Sequence, residues 1–171
     1  MGLVVVQSFF LSLLDGLEMP YGKPNARAFI TPPDPRVYAK APAIYIWPSD
    51  GSENRSADLG GTLPRNTGPN TSSGTKGILH EMDVYLTWFS AGSGTTQDPI
   101  FPGMVDAVMY ALRFSVPNPF VMQDPNNGLV SDVYNTGEVM RYTIGIESTA
   151  DEREKRYDCL LKCSVWELFR A

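Results

Sequence analysis

The residues best suited to chemistry are few. His80, the single histidine, lies in "ILHEMDVYLTWF" beside Glu81 and Asp83, and the two cysteines, Cys159 and Cys163, lie close together in "DCLLKCSVWELF". A catalytic base needs a nucleophile to activate and donors aimed at developing charge. Neither a second histidine nor a G-x-S-x-G elbow accompanies His80. Its register with Ile78, Met82 and Val84, the apolar row of a strand, makes a structural histidine the expectation. Glu81 and Asp83 fall on the opposite face, where a carboxylate pair could bind a cation or serve as acid and base. No partner for them is identifiable in the sequence, and a solvated or partner-facing surface is expected. Along an extended strand the two cysteine Cα atoms stand roughly 13 Å apart, beyond disulfide reach. Reduced core thiols are expected, and one histidine is too few for a Cys/His zinc site. "SSGTKG" lacks the spacing of a phosphate loop, and the dinucleotide fingerprint is absent. The expectation is a protein with no catalytic residues, cofactor or metal.

Two further groups have both a functional and a plain reading. Tyr45, Trp47, Trp88 and Trp166 could form a stacking platform for bases or sugars. Each lies in an apolar strand-like segment, which favours core or subunit interface. "ADEREKR" mixes both charge signs and reads as a solvated hairpin turn.

Composition narrows the function classes. The 171 residues suit one domain spanning 1–171 with a proper core. A net charge of -5 argues against a nucleic-acid surface, which needs clustered Lys and Arg to displace counterions. The opening "MGLVVVQSFFLSLLDGLEMP" lacks the basic start and cleavage site of a secretory signal. Asp15 and Glu18 close its apolar run too early for a membrane span of about 20 residues. A soluble, unprocessed protein with an amphipathic first helix is expected.

The elements that must position these residues follow from periodicity. Phe9, Phe10, Leu13, Leu14 and Leu17 recur at helical spacing, limited by Gly16 and Pro20. "ARAFIT" and "APAIYIW" read as strands that pair around "PPDPRVYAK". Gly51–Gly77 is a long polar stretch, well beyond the roughly 4–6 residues of a typical connection, and is expected to be a flexible loop. In "ILHEMDVYLTWF" apolar and polar residues alternate, as in a half-buried strand. Asp98 before Pro99 predicts a helix start, with a second start possible at Pro102. The helix "IFPGMVDAVMYALRFS" carries Phe101, Val105, Val108 and Leu112 on one stripe, with Met104 and Met109 beside it. "PNNG" predicts a hairpin between short strands. Met140, Tyr142, Ile144 and Ile146 alternate with Arg141, Thr143 and Glu147. Cys159, Leu161, Cys163 and Val165 form the inward row of a final strand, antiparallel to the preceding one. The expected fold class is α+β, with two helices packed on one face of a mainly antiparallel sheet and a long polar loop.

This element order resembles the tail terminator and neck proteins of long-tailed bacteriophages. The likeness rests on the short first helix, on "APAIYIWPSDG" leading into a long loop, on "DVYLTWF" followed by a helix at "FPGMVDAVMYALR", and on the closing strand pair. "SDVYNTGEVMRYTIGIE" is similar to the stretch entering the penultimate strand in such proteins. The resemblance covers most of the chain as a pattern of elements, without one diagnostic motif. The long Gly51–Gly77 segment and the Pro/Asn-rich link after the second helix depart from it.

The resemblance implies a virion protein, assembled in the host cytoplasm, that forms a homohexameric ring. Such a ring caps the tail tube protein, ends tube polymerisation and joins the tail to a head-closure or connector protein. DNA passes through the lumen without specific binding, and an acidic ring would repel it. No membrane is involved. Arg55, Arg65 and Lys76 in the loop are expected to pair with carboxylates on a partner as the loop orders on assembly. Tyr85 and Phe89 are expected on an exposed strand face that supplies one of the two patches a ring needs. Two alternatives stand beside this reading. One is a head-closure or minor neck protein that joins without terminating; the other is a small hydrolase using His80 or a glycan-binding domain using the tryptophans.

Overall fold

The computed structural model describes residues 3–31, 41–55, 76–91, 100–114, 120–123, 130–135, 141–148 and 154–170. Helix α1 spans Leu3–Leu14 and buries Val5, Val6, Phe9, Phe10 and Leu14. Three consecutive valines are poor helix formers in isolation, so burial of this stripe sustains the helix. Gly16 ends it with φ 79, the left-handed cap that glycine adopts without a Cβ penalty. The cap is tied to the next element. Gly16 N–H donates to the Ala26 carbonyl at 2.9 Å, and Ala28 N–H donates to Asp15 Oδ1 at 3.1 Å.

Strand β1, Arg27–Phe29, lies beside β2, Ala43–Arg55, in register Arg27↔Ala43. The two do pair around the intervening segment, and the pairing is parallel. Strand β3, Lys76–Ala91, runs antiparallel to β2, and β7, Glu154–Arg170, antiparallel to β3 along its whole length. Strands β4, Phe120–Gln123, and β5, Val130–Asn135, form the expected antiparallel pair; their "PNNG" turn lies outside the described residues. Strand β6, Arg141–Ser148, pairs antiparallel with the first half of β7, while β5 pairs with its last residues. Among the described residues the sheet is therefore mixed and seven-stranded, in order β1-β2-β3-β7-β5-β4, with β6 attached to β7. With two helices among the described residues, the fold class is α+β.

Two expected boundaries are corrected. Gly51–Arg55 and Lys76–Gly77 are strand rather than loop, because the β2–β3 ladder continues to the pair Arg55↔Lys76. Residues 56–75, including Arg65, lie outside the described residues. Likewise Glu154, Lys155 and Arg156 of "ADEREKR" belong to β7, where they pair with β3 and lengthen the ladder.

Helix α2, Ile100–Phe114, buries Phe101, Met104, Val105, Val108, Ala111 and Leu112. The expected stripe is present, and Pro102 falls in its first turn, where a missing N–H costs no helical bond. Asp98 and Pro99 lie outside the described residues. Gly103 lies under the Tyr21 ring: a Cβ there would stand 2.9 Å from it, so a larger residue would make the exposed Tyr21 side chain shift. The stripes of α1 and α2 share one buried cluster with Ile44, Ile46, Met82, Val84, Leu86, Trp88, Tyr157, Cys159, Leu161 and Val165. Phe101 and Trp88 lie 5.3 Å and 5.4 Å from the Tyr157 ring. Burying each such large apolar side chain contributes about 1.5–3 kcal/mol.

Candidate interaction surface

Alternation along β2, β3 and β7 divides the sheet into a core face and an outer face. On the outer face Tyr45 stands opposite Tyr85 in register, and their rings stack at 6.0 Å. Trp47 lies 5.9 Å from Tyr45, is 49% exposed, and stands opposite Asp83. Asp83 stands opposite Lys162 in turn, with Nζ 3.9 Å from Oδ1. Tyr85 Oη donates to Asp83 Oδ2 at 3.5 Å. Burial, then the Asp83 charge, raises the Tyr85 phenol above its ordinary value, so it stays a neutral donor. Beyond this group, Asp158 receives Thr87 Oγ1 at 2.7 Å and Arg156 Nε at 2.8 Å. Phe89 is half-buried and stands opposite Arg156.

Structure therefore bears differently on each residue singled out by sequence. Tyr85 and Phe89 share the outer face as expected, and Tyr85 is exposed. Arg55 and Lys76 face each other at the far end of the β2–β3 ladder. Nine positions separate Lys76 from Tyr85, about 30 Å along a strand, so the basic and aromatic residues make two separate places. The four-residue aromatic group divides. Trp88 is buried on the core face against Tyr157, with the Lys23 ammonium 5.3 Å from its ring, while Tyr45 and Trp47 lie on the other side of the sheet. Trp166 is half-buried, opposite Tyr134.

His80 is buried in the core face, as a structural histidine should be. It has a partner that the sequence reading missed: Nε2 meets Glu167 Oε2 at 3.0 Å, and both side chains are almost fully enclosed. Glu167 extends the inward row of Cys159, Leu161, Cys163 and Val165 by two positions, and that alternation was the signal available for finding it. Nδ1 of His80 and Oε1 of Glu167 make no hydrogen bond. A bulge between Pro48 and Asp50 switches which β2 residues face the core, so Gly51 stands opposite His80. A Cβ at Gly51 would lie 3.9 Å from Nδ1.

Both thiols are free. Burial pushes Cys159 up to about 11, and burial together with the Asp83 charge pushes Cys163 up to about 12, so neither is a nucleophile near neutral pH. Among the described residues no three His, Cys, Asp or Glu side chains are grouped to hold a metal ion, and no helix is long and apolar enough to cross a membrane. The outer face thus offers aromatic area with a charged margin, an arrangement suited to docking a surface. No protein-family model and no curated protein matches the chain.

Proposed function

We propose that this chain is a structural protein of a long-tailed bacteriophage, forming a ring that caps the tail tube, ends its polymerisation and joins it to the head. The observation that carries the reading is the Tyr45, Trp47 and Tyr85 group on the outer sheet face. An aromatic group with charge at its margin, here Glu81 and Lys162, matches the aromatic centre and polar rim of protein interfaces. The sequence resemblance to tail terminator and neck proteins supplies the identity of the partners.

In this reading both helices pack on one face of the sheet, and their membership of the core-face cluster supports it. The opposite face is then left for a neighbouring subunit or the tube. Six copies close the ring through head-to-tail contacts, each using two different patches. Arg55 and Lys76, paired at the end of the β2–β3 ladder, and Arg65 in the segment between them pair with carboxylates on a partner in this reading. The net charge of -5 keeps the lumen from binding DNA as it passes.

Electron microscopy of particles from a phage lacking this gene tests the proposal. Overlong, headless tails are the expected result. Normal-length tails with unattached heads would assign the chain to head closure instead, and intact virions would remove it from the neck. Deleting residues 56–73 should leave a folded subunit that caps poorly; unchanged phage yield would count against the loop's role.

A further inference from the structure

At β6 the apolar row of the core face runs out into solvent. Tyr142, Ile144 and Ile146 stand opposite Leu161, Cys159 and Tyr157, which are buried. They are themselves 56%, 39% and 55% exposed. Among the described residues β7 is the ladder partner of β6, and no strand lines its other edge. An open edge leaves alternate backbone N–H and C=O groups without a ladder, and proteins usually blunt such edges with proline, lysine or a bulge. The sequence RYTIGIES contains neither proline nor lysine, and its register with β7 runs unbroken from Arg141 to Ser148.

The strand is complementary to itself. Two copies laid antiparallel about a two-fold axis at Ile144 place Arg141 opposite Glu147, Tyr142 opposite Ile146, Thr143 opposite Gly145, and Ile144 opposite Ile144. Opposite charges meet at both ends and the apolar residues share one face. A shift of one position would set the apolar row of one copy against the polar row of the other. A shift of two would separate the charges.

We propose that β6 is a homodimerisation edge, on which a second copy of this chain docks its own β6 in antiparallel register about Ile144. The contact is isologous, whereas ring contacts are head-to-tail, so it stands or falls independently of the tail-terminator reading. One strand pair falls short of the roughly 1,200 Å² of stable complexes, which makes the dimer concentration-dependent.

Sedimentation velocity on the full chain, from about 1 µM to on the order of 100 µM, should show a monomer–dimer equilibrium. Arg141→Glu should weaken it roughly tenfold by placing like charges at both ends, and Arg141→Glu combined with Glu147→Arg should restore it. A monomer throughout, or a dimer indifferent to both variants, overturns the proposal. Register is tested by Ile144→Cys in a Cys159→Ala background, because Cys159 stands opposite position 144 within the chain. Oxidation should crosslink two copies, whose Cα atoms at position 144 would be about 5 Å apart. Ile146→Cys in the same background should not crosslink, its two copies standing roughly 14 Å apart. The reverse pattern, or crosslinking of both, overturns the register.

Discussion

Strands β5 and β6 dock on the same edge of β7, both antiparallel, yet they meet different fates. In β5, Ser131, Asp132 and Val133 are buried; in β6, residues 141–146 are all exposed. Neighbours make the difference. Strand β5 has β4 on its far side and α1 against it, whereas no strand borders the far edge of β6 among the described residues. The β6 sequence alternates well enough to be a core strand. An apolar row is buried only where another layer reaches it, and at β6 the row remains available to a partner.

The largest effect should come at the buried end of this contrast. His80→Ala leaves the enclosed Glu167 carboxyl without its hydrogen-bond partner and opens a cavity, at an expected cost of about 3 kcal/mol in denaturant unfolding. Replacing both by leucine should recover most of that, and a loss below about 1 kcal/mol would show that the pair is not enclosed. Next comes alkaline pH acting on Cys159, which stands opposite Ile144 of the exposed row. Its thiol is held up to about 11 from 9.0, so below pH 9 folded and unfolded chains are both protonated and stability is undiminished. As pH rises toward 11 the unfolded chain ionises first, and stability falls by about 2–3 kcal/mol. Cys163, raised further still, contributes over the same window, so Cys159→Ala should remove about half of the slope in thermal melts; an unchanged slope would place its origin elsewhere.

Val133→Ala, in β5, should cost about 2 kcal/mol. On the outer face, Arg156→Ala should cost no more than about 1 kcal/mol, since its pair with Asp158 is open to solvent. Ile144→Ala, at concentrations where the chain is monomeric, should change stability by no more than about 0.5 kcal/mol. If Ile144→Ala matched Val133→Ala, the distinction between the two strands would collapse.

Local pattern was enough to read several elements from the sequence. The stripes of α1 and α2, the alternation in β3 and β7, the antiparallel β4–β5 and β6–β7 pairs and the buried side of His80 depend on spacings of two or 3.6 residues, which the backbone imposes on any chain. The exposed side of Tyr85 follows from the same parity. Tertiary structure decided what depends on a partner distant in sequence. The parallel β1–β2 pairing, the extension of the ladder to Arg55↔Lys76, and the division of the β7 edge between β5 and β6 are matters of which strand lies beside which. So are the His80–Glu167 contact, the Tyr45–Tyr85 stack and the placement of Trp88 and Trp47 on opposite faces. The alternation of β6 specified which side chains share a face, but among the described residues α1 packs against β5 while residues 141–146 stay exposed, because burial belongs to the assembled layers and not to a strand alone.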